Sequence, residues 1–183
     1  MRLSFLMLTA GLLTLSGCGA FGPRGEHGAG PGPGHMMSMA HARLAPTQGQ
    51  SAAGEVMFHQ HGDHVMVHAR LTGLKPGAEH GFHVHEKGDC SAPDGSSAGG
   101  HHNPAAKAHG PQDADHHAGD LPNLKADPNG VVDQKFMVHG VALSGADSLV
   151  GRGLIVHAGP DDYRTQPTGN SGARIACGVI TSH

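Results

Sequence analysis

Histidine is the residue type in this chain with the most chemical potential, filling 18 of 183 positions. Imidazole is the commonest metal ligand and titrates near neutrality, so metal chemistry is the first reading to set against the spacing. Abundance weakens any single motif, because at this frequency about one or two His-x-His patterns arise by chance. Two occur, His59-Gln60-His61 and His83-Val84-His85. An ordered series of His positions, each with its own local context, carries more information. It runs through Phe82-His83-Val84-His85-Glu86, Gly100-His101-His102-Asn103-Pro104, His109-Gly110-Pro111, His117-Ala118-Gly119-Asp120 and Ile155-Val156-His157. Residues i and i+2 of a strand face the same way, so His83 and His85 can reach one ion.

Such side chains need a rigid frame, and the frame predicted here is all-β. From Glu55 onward the apolar pattern has period two, with turn signals between the runs. Runs at 56–59 and 64–71 flank a Gly62-Asp63 turn as a hairpin. His59, His61, His64 and His68 fall on polar positions and read as a solvated outer face. A strand at 80–85 precedes a long loop, Asn129-Gly130 marks a turn before 131–138, and 153–157 and 174–181 close the series. Short strands with irregular long connections predict a Greek-key β-sandwich or flattened barrel with the His-bearing segments in its loops. Aromatics make up 3% of residues and Trp is absent, so the core must be built from Val, Leu, Ile, Met and Ala. A net charge of −3 supplies no basic field for nucleic acid.

The amino-terminal third differs in kind. Met1-Arg2 and the apolar stretch from Leu3 to Leu15 have the form of a signal-peptide core, too short to span a bilayer comfortably. Leu15-Ser16-Gly17-Cys18 resembles a lipobox, which predicts a signal peptide over 1–17 and a lipidated Cys18 at the mature terminus. Gly19, not Asp, follows Cys18, and the resemblance to bacterial lipoproteins then implies the outer membrane and a periplasm-facing place in the cell envelope. Residues 18–50, rich in Gly, Pro, His and Met, read as a disordered tether, with the folded domain over 51–183. Within the tether, His35-Met36-Met37-Ser38-Met39-Ala40-His41 mixes imidazole and thioether. That mixture suits copper capture, although a solvated linker explains it equally well.

Over residues 54–183 the ordered segments resemble the bacterial copper–zinc superoxide dismutases, in their exported lipoprotein form. The resemblance implies copper held by His83, His85, His101 and His157, and zinc held by His101, His109, His117 and Asp120, with His101 bridging the two. Four imidazoles suit tetragonal Cu(II), and three imidazoles with one carboxylate suit a closed tetrahedral zinc site. His102 and His116 are set aside as neighbours in register. Asp161 matches a carboxylate that orients one ligand of each metal. With Cys18 lipidated, Cys90 and Cys177 match the family disulfide, and Arg174, three residues before Cys177, matches the guanidinium that docks superoxide. The implied reaction is dismutation of superoxide to dioxygen and hydrogen peroxide; the alternative is a copper-sequestering lipoprotein on the same scaffold. The short segment from Cys90 to Gly100 departs from some bacterial members by lacking candidate steering lysines, for which Lys87, Lys107 and Arg164 are candidate substitutes without an assigned place. Monomer and homodimer both stay open.

Overall fold

The computed structural model describes residues 38–183. They form eight antiparallel strands: β1 Met39–Pro46, β2 Ala53–His61, β3 His64–Thr72, β4 Glu79–His85, β5 Asp120–Lys125, β6 Val132–His139, β7 Gly153–His157 and β8 Arg174–Ser182. The hydrogen-bonded order is β5-β4-β7-β8-β1-β2-β3-β6, so β4, β7 and β8 pair across long crossovers while β2 and β3 form a simple hairpin. The sheet curls into a nearly closed barrel. At its seam Lys125 N donates to Gln134 Oε1 (3.1 Å) and Gln134 Nε2 donates to the Asn123 carbonyl (3.1 Å), so one side chain stitches β5 to β6.

Alternation decides what fills the barrel. Val56 and Phe58 of β2, Val65, Val67, Ala69 and Leu71 of β3, Phe82 and Val84 of β4, and Leu154 and Val156 of β7 are all essentially inaccessible and share one core. The Gly62-Asp63 turn joins β2 to β3 as expected, with Gly62 at φ +59°, a conformation glycine adopts without steric cost.

Two strands depart from the sequence reading. The tether predicted to reach residue 50 ends earlier, because β1 pairs with both β2 and β8 and buries Ala40, Ala42 and Leu44. Thr47 and Gln48 also bind back, their backbone N–H groups donating to the carbonyls of Ile175 and Pro93. The folded body therefore includes residues 39–50. The predicted signal peptide, Cys18 and the tether up to residue 37 lie outside the described residues. The other unpredicted strand is β5, where Pro122 argues against a ladder; β5 ends the strand order, the position where a missing N–H is tolerated.

Candidate metal centre

The ligand candidates sit on the outside of the barrel. Phe82 and Val84 point into the core, so His83 and His85 point the other way, yet they are 0% and 1% exposed. The long connections of the barrel cover them: Gly81 N donates to the Gly159 carbonyl, Glu86 N to Gly100, and His102 N to Val84. Sheet register then does much of the assembly. His83 is the cross-strand partner of Asp120, His85 bridges His101, and His157 is opposite Arg174.

Two groups of donors result, each with its ligand atoms within 4.8 Å of one another: His83, His85, His101 and His157, and then His101, His109, His117 and Asp120. His101 is common to both. In the first group the outer nitrogen of each ring has a partner: His83 Nε2 meets Asp161 Oδ2 (2.8 Å), His85 Nδ1 donates to the Gly99 carbonyl (2.9 Å), and His157 Nδ1 donates to the Gly172 carbonyl (3.0 Å). The remaining nitrogens, His83 Nδ1, His85 Nε2, His101 Nε2 and His157 Nε2, are buried with no hydrogen-bond partner. Four unpaired buried lone pairs facing one point are costly in a dry site and fit a cation of imidazole-preferring type. Burial pushes His83 down to about 4, His85 to about 2 and His157 to about 3, so all three rings are uncharged at neutral pH and free to donate a lone pair.

The second group is built around a carboxylate. Asp120 Oδ1 lies 2.8 Å from His101 Nδ1 and 3.3 Å from His117 Nδ1, and Oδ2 accepts from His117 N at 2.9 Å. His109 Nδ1 is 3.0 Å from Asp120 Oδ2 but not aligned to donate to it, which leaves that nitrogen among the buried unpaired ones. Burial alone would raise the Asp120 carboxyl, but the His101 hydrogen bond, the adjacent His109 ring and the His117 N–H outweigh it and hold it below the usual range. Burial disfavours a charged His109, yet Asp120 and Asp161 on its two sides prevail and raise it to about 9, a proton that a bound cation would displace. Three imidazoles and a carboxylate fit closed zinc coordination.

Asp161 joins the groups physically, with Oδ2 on His83 and Oδ1 on His109 Nε2 (2.9 Å). Its own placement comes from Asn123, whose Oδ1 accepts from Asp161 N (2.9 Å) and whose Nδ2 donates to the Asp161 carbonyl (2.9 Å). Gln166 likewise clamps His109, accepting from its N–H and donating to its carbonyl, each at 2.8 Å. Neither Asn123 nor Gln166 stands out in the sequence, since a lone amide carries no motif. Gly169, at φ +66°, packs so closely that any Cβ would collide with the Asp161 carboxylate and His109 Nε2.

Arg174 is clamped by Nη1 on the Gly95 carbonyl (2.6 Å) and Nη2 on the Gly99 carbonyl (2.5 Å), the carbonyl that also receives His85. Cys90 and Cys177 form a disulfide, and with Ile155 and Ala98 they make a small cluster under the loop that supplies those carbonyls. Beside Arg174 a cleft is lined by Thr47, Gln48, Asp94 and Gly172. Lys107 lies elsewhere, 3.5 Å from Asp115 and in a cleft with His116 and His139. His102 and His116 join neither donor group; His116 Nδ1 donates to the Ala114 carbonyl.

Comparison with known proteins agrees in kind with this arrangement. Residues 52–180 match the family described as Copper/zinc superoxide dismutase (SODC). The chain is 42% identical over 147 residues to Superoxide dismutase (Cu-Zn) 2 of Aquifex aeolicus, covering 77% of this chain and 85% of that protein. It is 38% identical over 188 residues to Superoxide dismutase-like protein YojM of Bacillus subtilis, covering 97% and 94%. A crystal structure of a double mutant of a SOD-like protein from Bacillus subtilis, in which a tyrosine and a proline became histidines, superimposes with TM-score 0.68 at 41% identity, covering 77% of this chain and 96% of that one.

Proposed function

The chain belongs to the copper/zinc superoxide dismutase family, an oxidoreductase family whose metals are copper and zinc, and we propose that it turns superoxide over at the shared-histidine centre formed by His83, His85, His101, His157, His109, His117 and Asp120. The observation that carries this reading is the division of His101: Nδ1 lies with Asp120 and His117, while Nε2 joins the unpaired nitrogens of the other group. Bound at the two groups, copper supplies a one-electron couple between Cu(II) and Cu(I), and zinc supplies fixed charge that tunes the shared imidazole. The overall change takes two superoxide ions and two protons to dioxygen and hydrogen peroxide.

The chain's own residues organise that change. Arg174 offers a cationic fork to the small anion, held in position by Gly95 and Gly99. His101 takes a proton on Nε2 in the first half-reaction and yields one to the forming peroxide in the second, while Nδ1 keeps its place beside Asp120. Asp161 and the Gly99 and Gly172 carbonyls hold His83, His85 and His157 in fixed tautomers, so little besides the shared ring needs to move.

A sequestering role has one point in its favour, the relative named only superoxide dismutase-like. Against it stand a complete donor set and an Arg174 that storage does not need. The test is superoxide consumption by the full chain loaded with copper and zinc, beside His157→Ala. Rapid turnover that disappears in the variant, with zinc retained, supports the enzyme. Stoichiometric copper with negligible turnover in the parent protein rejects it.

We further infer that residues 1–17 are removed and that Cys18 carries lipid, anchoring the domain to the outer membrane at the periplasmic side. Detergent partitioning of the native protein and of Cys18→Ala checks this. The expected outcome is membrane association that the variant loses, and equal partitioning of both would contradict the anchor.

A further inference from the structure

The outer face of the β1-β2-β3-β6 surface carries a second concentration of metal-ligating side chains, which shares no residue with the dinuclear groups. Cross-strand pairing puts His61 opposite His64 and His64 opposite His139, so three imidazoles form one row at the hairpin end. Their ring centroids are 5.9 Å (His61–His64) and 5.6 Å (His64–His139) apart. Asp63, in the turn, brings Oδ1 to 3.2 Å from His64 Nδ1. Donor atoms of Asp63, His64 and His139 all lie within 4.8 Å of one another, the same closeness as in the dinuclear groups.

The neighbouring row on this face is Met39–His59–Met66–Met137, read across β1, β2, β3 and β6. Packing does not explain it. Met137 is 52% exposed and Met39 36%, two of the three exposed large apolar side chains among the described residues. Alternation leaves outward positions free of core demands, and solvent-facing positions ordinarily take polar or charged side chains. Thioethers beside imidazoles and a carboxylate instead form a graded donor set, hard to soft, within one or two strand spacings.

We propose that Asp63, His64 and His139 form a third metal site, open and exchangeable, which takes copper(II), and that Met66 and Met137 in the adjoining row hold copper(I). Three protein donors leave coordination positions open, in contrast to the closed carboxylate group of the barrel. Among divalent first-row ions copper binds such nitrogen and oxygen donors most tightly, and thioether adds selectivity for its reduced form. β1 contributes Met39 to the same face. The proposal does not rest on the dismutase reading, since none of its residues belongs to the dinuclear groups.

The test compares the full chain with His64→Gln/His139→Gln, both first loaded with copper and zinc, by equilibrium dialysis and electron paramagnetic resonance during further addition of copper(II). Wild type should bind one more copper(II) than the variant, with its own resonance signal, while dismutase activity and thermal unfolding stay equal in the two. Met66→Leu/Met137→Leu should weaken copper(I) retention against a competing chelator and leave the extra copper(II) in place. Equal copper(II) counts in wild type and the histidine variant overturn the third site, whatever the loading of the barrel centre. Unchanged copper(I) retention in the methionine variant overturns the thioether role.

Discussion

Asp161 shows how one carboxylate acts through others. It touches both His83 and His109, and Asn123 and Tyr163 N fix its orientation. Burial alone would raise its carboxyl, but hydrogen bonds from His109 and His83 hold it below the usual carboxylate range, so it stays an acceptor for both rings. Replacement by Asn removes the charge and one acceptor oxygen. Asp161→Asn should therefore weaken copper and zinc together, by about 10–100-fold each. Competition with chelators checks this, and the paired loss is the signature of a positioning role, because His157→Ala should weaken copper alone. Retention of either metal at wild-type affinity would contradict it.

At the scale of elements, the segment between β4 and β5 has no regular structure beyond a 3-10 turn at Ser96–Ala98, yet it supplies the Gly95 and Gly99 carbonyls that clamp Arg174. The disulfide adds a covalent tie to β8, spanning 87 residues of sequence. A loop of that length contributes about 4–5 kcal/mol in the chain-entropy account. Cys90→Ser/Cys177→Ser should lower unfolding free energy by roughly that amount. Activity should fall beyond what the metal content explains, because Arg174 loses its clamp. Denaturant unfolding and activity per bound copper measure the two parts, and unchanged activity per copper would remove the link to Arg174. β1 acts at the same scale: it fills the gap between β8 and β2, so a chain starting at residue 51 would leave two bare strand edges.

At the scale of the whole molecule, burying so many imidazoles makes the metal-free protein sensitive to pH. His83, His85 and His157 are held neutral by burial, with values near 4, 2 and 3, so below about 6.5 the unfolded chain binds more protons than the folded one. Their contribution is present above the ordinary imidazole value and is lost as pH falls from about 6.5 through about 4, 3 and 2. His109 works in the opposite sense: raised to about 9, it contributes fully below the ordinary value and loses that contribution as pH rises through about 9. Thermal unfolding of the chelator-treated protein should peak between these limits and fall on going from about pH 7 to about pH 5. A melting temperature unchanged over that acid interval would contradict the burial account.

Six of the eight strands were legible in the sequence because their alternation is written in large residues. Phe82 and Val84 against His83 and His85, or Leu154 and Val156 within 153–157, leave little choice of face. β1 was hidden because its inward residues are mostly alanines, Ala40 and Ala42, inside a His/Met-rich stretch whose composition mimics a linker. β5 was hidden by Pro122, whose tolerance depends on an edge position that no local pattern states. The candidate donors could be named because the ordered His-bearing segments resemble those of the family, a resemblance that covers residues 54–183. Which nitrogen of each ring faces inward could not be read, nor could the roles of Asn123, Gln166 and the Gly99 carbonyl. Those depend on register between strands and on loops folding over the barrel, contacts between residues far apart in the chain. The outer His/Met rows make the same point, since local pattern predicts a polar face and only the pairing of β2, β3 and β6 lines His61, His64 and His139 up side by side.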